Sequence, residues 1–151
     1  MEILKIGTIN VAVRDAMAAG RLFGDLGLPT RQAELVRLPD PPARISYLQS
    51  PVGESSLSFV EPADPESPVA RFLERRGEGL FSLSIEVRGL EALMAAWRGR
   101  GVEWVLDAPM RFAPAPGRPE GGAANWTRPR TTLGMIIEVI ERDTTDDGGT
   151  N

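Results

Sequence analysis

The chain has 151 residues, 42% of them hydrophobic, a formal net charge of -4 and a pI near 5.0. That length supports one domain or two half-domains sharing a core, and the acidic balance argues against a nucleic-acid partner. Neither cysteine nor histidine occurs, which excludes disulfides, a thiolate nucleophile, imidazole-based zinc sites and Ser-His-Asp triads.

Taken in order, Ile3 to Val13 alternates as a strand, and Asp15 can cap a helix that runs to Leu26 and closes at Gly27-Leu28-Pro29. Ala33 to Leu38, Ala43 to Gln49 and Ser55 to Val60 are three short strands. Turn chemistry at Pro39 to Pro42 and at Pro51-Val52-Gly53 joins them as an antiparallel meander. The segment SPVARFLERR fits a linking helix over 67–76, with Ser67 as cap and Pro68 at its first position. Leu80 to Val87 is a second alternating strand, and Leu90 to Arg98 a second amphipathic helix. Val102 to Leu106, a Pro- and Gly-rich stretch from Ala108 to Gly122, and strands near Ala123 to Thr127 and Gly134 to Glu141 complete the pattern. The tail, 142–151, is acidic and almost without apolar residues, and is expected to be disordered.

The two halves repeat. Set together by their last valines, TINVAV (8–13) and SLSIEV (82–87) each feed a helix of similar length that ends in glycine; a duplication separated by about seventy residues is the simplest account. The fold class is therefore α+β within a single domain, 1–141. Two βαβββ modules, 3–62 and 79–141, form a cupped mixed or antiparallel sheet around a central cavity.

Period-two alternation sorts each strand into faces. Ile9, Val11 and Val13 belong under the first helix, as do Phe81, Leu83, Ile85 and Val87 under the second; Thr8, Asn10 and Ala12, then Ser82, Ser84 and Glu86, take the opposite face. In the last strands, Ser56 and Ser58 oppose Leu57 and Phe59, and Ile136 and Glu138 oppose Met135, Ile137 and Val139. A face of small polar residues suits either the solvated side of a sheet or a wet cavity.

INVAVRDAMAAGRLFGDLGLP, LSFVEP, SPVARFLERRGEGLFSLSIEV and GAANWTRPRTTLGMIIEVIE, in that order, resemble the vicinal oxygen chelate superfamily, which includes glyoxalase I, bleomycin-resistance proteins and extradiol dioxygenases. Within it the likeness is to methylmalonyl-CoA epimerases. The resemblance spans about residues 4–141 and is most specific from Pro68 to Val87. It implies a cavity between the modules and a divalent metal held by a histidine from each first strand and a Glu or Gln from each last strand. Those positions fall on Thr8, Ser82, Ser58 and Glu138. Only Glu138 coordinates strongly, so no metal and no cofactor are expected.

Glu138 is the candidate catalytic residue, either a general base with a pKa raised by burial or a hydrogen-bonding remnant of a metal-binding ancestor. Candidate ligand-binding residues are Thr8, Asn10, Ser58, Ser82 and Ser84, with Tyr47 and Trp126 either stacking on a flat ligand or packing in the core. Glu86 reads as a rim charge. Arg128 and Arg130 either grip a phosphate or carboxylate or stand exposed in a turn. GRPEGG (117–122) lacks the Lys-Ser/Thr of a phosphate loop and is at most a flexible flap. Asn125-Trp126-Thr127 is a chance match to a glycosylation sequon.

The functional expectation is a small-molecule isomerase or lyase that works without a metal, or a descendant that has lost catalysis. The alternatives are a ligand-sequestering protein of the bleomycin-resistance kind and an active methylmalonyl-CoA epimerase. The first residues lack the pattern of a secretory signal, and no window approaches the ~20 apolar residues of a membrane span. A cytoplasmic homodimer with a small-molecule ligand, and no membrane or nucleic-acid partner, is the expectation.

Overall fold

A computed structural model describes residues 1–32, 36–39, 42–114 and 120–143. In chain order these form β1 (Glu2–Ala12), α1 (Ala16–Asp25), β2 (Arg31–Gln32), β3 (Val36–Pro39), β4 (Pro42–Val52), β5 (Ser55–Pro62) and α2 (Pro68–Arg76). There follow β6 (Gly79–Arg88), α3 (Leu90–Arg98), β7 (Met110–Phe112), β8 (Gly122–Trp126), a 3-10 turn (Pro129–Thr131) and β9 (Ile136–Arg142).

All the described strands belong to one curled mixed sheet ordered β2-β4-β5-β1-β6-β9-β8-β7, with β3 on β4. The seam is the antiparallel pair β1 and β6. On either side of it the modules repeat the same pairing: β5 runs parallel to β1, and β9 parallel to β6. Asn10 faces Ser58 across the first pair, and Ser84 faces Glu138 across the second. The duplication read in the sequence is thus also a repetition of sheet register, and the modules adjoin edge to edge.

Alternation places the helices. Val13, Leu48 and Phe59 are buried with Ala16 of α1, while Ala12, Ile45 and Val60, one residue out of phase, are buried with Val69 and Leu73 of α2. α1 and α2 therefore cover opposite faces. Ile85, Val87 and Val139 pack with Leu90, Leu93 and Met94 of α3, and the pairing of Leu83 with Ile9 puts that cluster on the α1 side. The convex face carries α1 and α3. The concave face carries α2 at one end only.

Local chemistry starts each helix. The Asp15 carboxylate accepts from the Ala18 N–H at 2.8 Å and the Ser67 hydroxyl from Ala70 N–H at 3.1 Å, with Pro68 in the first turn of α2. α3 begins at Gly89, whose φ of +80° suits glycine. It has no cap from its own side chain; instead the Glu141 carboxylate of β9 receives the Gly89 and Leu90 N–H groups.

Several expectations shift. The second hairpin turns at Gly53 (φ +61°), because β4 continues to Val52 and pairs it with Ser55. Module two draws its short outer strand from Met110–Phe112, inside the Pro- and Gly-rich stretch. Val102 to Leu106 forms no strand and joins the sheet by one backbone bridge, from Trp104 to Thr127. The cause is burial: Trp104 stacks 5.8 Å from Trp97, and its indole N–H donates to the Met94 carbonyl at 3.3 Å. Phe81 does not join the α3 side. β6 pairs Ser82 with Asn10 but Leu80 with Val11, so Phe81 is the extra residue of a bulge and turns toward α2.

Residues 33–35 of the expected strand over Ala33 to Leu38, 40–41 of the turn at Pro39 to Pro42, 117–119 of GRPEGG and 144–151 of the tail lie outside the described residues. Among the described residues no helix is long and apolar enough to cross a membrane. The convex face of β1 leaves Ile3, Ile6 and Ile9 exposed between α1 and α3.

Candidate functional site

Residues paired directly across a sheet share a face, so the registers lay out the floor of the cup. One row runs Gln49, Ser58, Asn10, Ser82, Ile136 from β4 to β9, and the next runs Ser56, Thr8, Ser84, Glu138, Trp126 from β5 to β8. The strand order converts residues far apart in sequence into two adjacent lines.

Above this floor is a cavity of about 630 Å³. Thr8, Asn10, Ser82, Trp126 and Glu138 line it, as does Gln49. Ser84 lies beneath: it is 1% exposed, and its Oγ receives the Thr8 N–H at 2.8 Å and is 2.7 Å from the Thr8 hydroxyl. The Asn10 amide donates to Ser82 Oγ at 2.9 Å. These bonds cross the seam and tie the modules together with the same polar groups that face the cavity. Ser58, between Gln49 and Asn10, is fully buried, and its hydroxyl has no hydrogen-bond partner. Tyr47 pairs with Val60 in the register of β4 and β5, and its side chain lies outside what the structure describes.

α2 forms one wall. Pro68, Arg71, Phe72, Arg75 and Arg76 face the cavity at helical spacing, whereas Val69 and Leu73 sit in the core. Phe72 meets Phe81 edge to face at 5.4 Å, and the Arg76 guanidinium lies 5.9 Å from the Phe72 ring centre. The bulge that turned Phe81 inward thus props the helix that carries the arginines.

The opposite wall is the turn before β9. The Thr127 hydroxyl accepts from the Ile137 N–H at 3.0 Å, and the Thr132 hydroxyl donates to the Met135 carbonyl at 2.6 Å. This fixes Arg128, Pro129 and Arg130 at the cavity. Arg130 pairs with Glu103, whose hydrogen bond first and charge second raise the guanidinium pKa above its ordinary value. Glu86 is held away from the site by Lys5 at 3.5 Å and Arg142 at 2.8 Å. Asn125 is fully buried, its amide engaged with both backbone groups of Leu106, so the sequon is closed.

Among the lining residues are five arginines and one carboxylate, Glu138, in a protein of formal net charge -4. Sequence reasoning missed Gln49 and the three arginines of α2. The signal for the latter was present in the spacing of Arg71 and Arg75, one turn apart and off the Val69–Leu73 face.

The site is thus a two-module α+β cup with a polar floor and arginine-bearing walls. The chain belongs to the Glyoxalase/Bleomycin resistance protein/Dioxygenase superfamily, whose model matches residues 9–120. It is similar to uncharacterized protein YqjC of Bacillus subtilis, 25% identical over 138 residues and covering 91% of each chain. Among solved structures it is similar to hypothetical protein BH1468 of Bacillus halodurans (27% identity, TM-score 0.71, covering 95% of this chain and 98% of that one). It also shares its fold with methylmalonyl-CoA epimerase of Mycobacterium tuberculosis (24% identity, TM-score 0.73, 94% and 90% covered).

The positions that the resemblance assigns to metal ligands do not fit a divalent cation. Thr8 and Ser82 spend their hydroxyls on Ser84 and Asn10, Ser58 is sealed off, and only Glu138 offers a carboxylate. Divalent ions require several anionic, carbonyl or imidazole donors, and among the described residues no group of three Asp, Glu, His or Cys comes together.

Proposed function

We propose that the cavity binds a small carbonyl compound and that Glu138 moves a proton at the carbon beside the carbonyl, without a divalent metal. The observation that carries this reading is the position of Glu138 as the single carboxylate among the lining residues. In the step, the carboxylate takes the proton, the C–H electron pair moves into the carbonyl, and negative charge develops on its oxygen. The Asn10 amide, which gives one of its two N–H groups to Ser82, and the Arg71, Arg75 and Arg76 guanidinium groups on the same cavity are the available donors.

One base on one side of the ligand returns the proton to the face from which it came. Transfer to a neighbouring carbon, or loss of a leaving group from it, needs only that base. Inversion at a single carbon needs a second acid on the far face. The chemistry supported best is therefore that of an isomerase or lyase. A methylmalonyl-CoA epimerase reading requires a metal, and stoichiometric cobalt, manganese or zinc in the purified protein would restore it.

The second reading is sequestration, favoured by walls rich in arginine and aromatic groups that bind without reacting. A thermal-stability screen against acyl-CoA thioesters, 2-oxo acids and aromatic antibiotics identifies ligands, because binding raises stability by mass action. Glu138→Gln then separates the readings: an enzyme loses turnover by about 10²-fold or more with affinity kept, whereas a sequestering protein has no turnover to lose. A homodimer that covers Ile3, Ile6 and Ile9 belongs to the same proposal; a single-chain mass by sedimentation equilibrium contradicts it.

A further inference from the structure

Three of the five arginines at the cavity, Arg71, Arg75 and Arg76, belong to α2. Arg71, Arg75 and Arg76 make no ion pair with any carboxylate among the described residues. Arg75 and Arg76 end α2, where a cation offsets the helix dipole. That reason does not extend to Arg71, which is half-buried, sits mid-helix and faces the cavity. A partly desolvated guanidinium without an acid is unfavourable unless something anionic meets it. Glu74, the acid on the same helix, is exposed and does not line the cavity.

We propose that α2 is an oxyanion-recognition wall: Arg71 and Arg75, one turn apart, with Arg76 steadied against Phe72, bind a phosphoryl or carboxylate group of the ligand. This deepens the function proposed above and rests on its assignment of the cavity as the ligand site. The ligand class becomes a small acid, its anionic end on α2 and its reacting carbon toward Glu138. The arrangement also explains a cationic pocket in an acidic protein: charge is concentrated where an anion is to be held, and the acidic remainder repels anions from elsewhere.

The test is titration of the full chain with pyrophosphate and, separately, malonate, read by calorimetry. At least one should bind, about tenfold more weakly in Arg71→Gln and Arg75→Gln, and more weakly at high salt. Arg71→Lys, which keeps the charge but not the planar fork, should fall between. Arg100→Gln, exposed and away from the cavity, should leave affinity unchanged. Pyrophosphate alone binding assigns a phosphoryl group, malonate alone a carboxylate, and either supports the proposal. Binding of neither, or equal losses in Arg71→Gln and Arg100→Gln, overturns it. Weakened anion binding in Arg71→Gln and Arg75→Gln with turnover of the ligand intact in both sinks this inference alone. Anion binding intact alongside undiminished turnover in Glu138→Gln sinks the enzymatic reading alone.

Discussion

Ser58 and Glu138 occupy the same place in two copies of one architecture. Each stands on the strand parallel to its module's first strand, Ser58 opposite Asn10 and Glu138 opposite Ser84. Their environments differ. Ser58 is fully buried with an unpartnered hydroxyl, while Glu138 lines the cavity. The repeated pairing sets position; side-chain packing then decides which of the two residues meets the cavity. The cup is consequently lopsided: module one supplies neutral polar groups to the floor, and module two supplies the carboxylate and one arginine-bearing wall.

The sharpest way to break this comparison is to put the carboxylate in both places. Ser58→Glu buries a charge with no designed partner and should cost about 3–5 kcal/mol at neutral pH. Burial raises the folded-state pKa above the ordinary ~4.3, so the penalty should nearly vanish below about pH 4 and grow as pH rises. Denaturant melts at acid and neutral pH measure it. A cost independent of pH contradicts the burial difference.

The helices differ in the same sense. α3 buries Leu93 to 2% exposure, whereas α1 leaves Leu22 57% exposed. Leu93→Ala should cost about 2–5 kcal/mol and Leu22→Ala less than about 0.5 kcal/mol; comparable losses would mean that α1 carries a core of its own. The smallest effect is expected at Ser58→Ala. Removing a buried hydroxyl that no partner satisfies should leave stability unchanged or raise it, by up to about 1 kcal/mol. A loss of more than that amount reveals a bond that Ser58 makes.

Much of this was legible in the chain. The alternation of Thr8-Asn10 and Ser82-Ser84 set apart a small polar face without deciding between solvent and a cavity, and Asp15 and Ser67 announced the helix starts that the backbone bonds bear out. What stayed hidden depends on contacts between distant segments. A single extra residue at Phe81 rotates that side chain without leaving a pattern in composition. Trp104 is drawn into the α3 core, so its segment forms no full strand although it reads as apolar. α2 reads as a linker, and its arginines became part of the site only once the helix was seen to lie on the concave face.

Hydrogen–deuterium exchange at carbon decides most directly whether Glu138 moves protons unaided. Protein stripped of metal by a chelator is incubated in D₂O with the thioester or 2-oxo acid that most raises its melting temperature, and deuterium entering beside the carbonyl is followed by NMR. Wash-in that persists with chelator and disappears in Glu138→Gln, with ligand affinity kept, is the expected result. Wash-in that depends on added cobalt or manganese, or that survives in Glu138→Gln, contradicts the account.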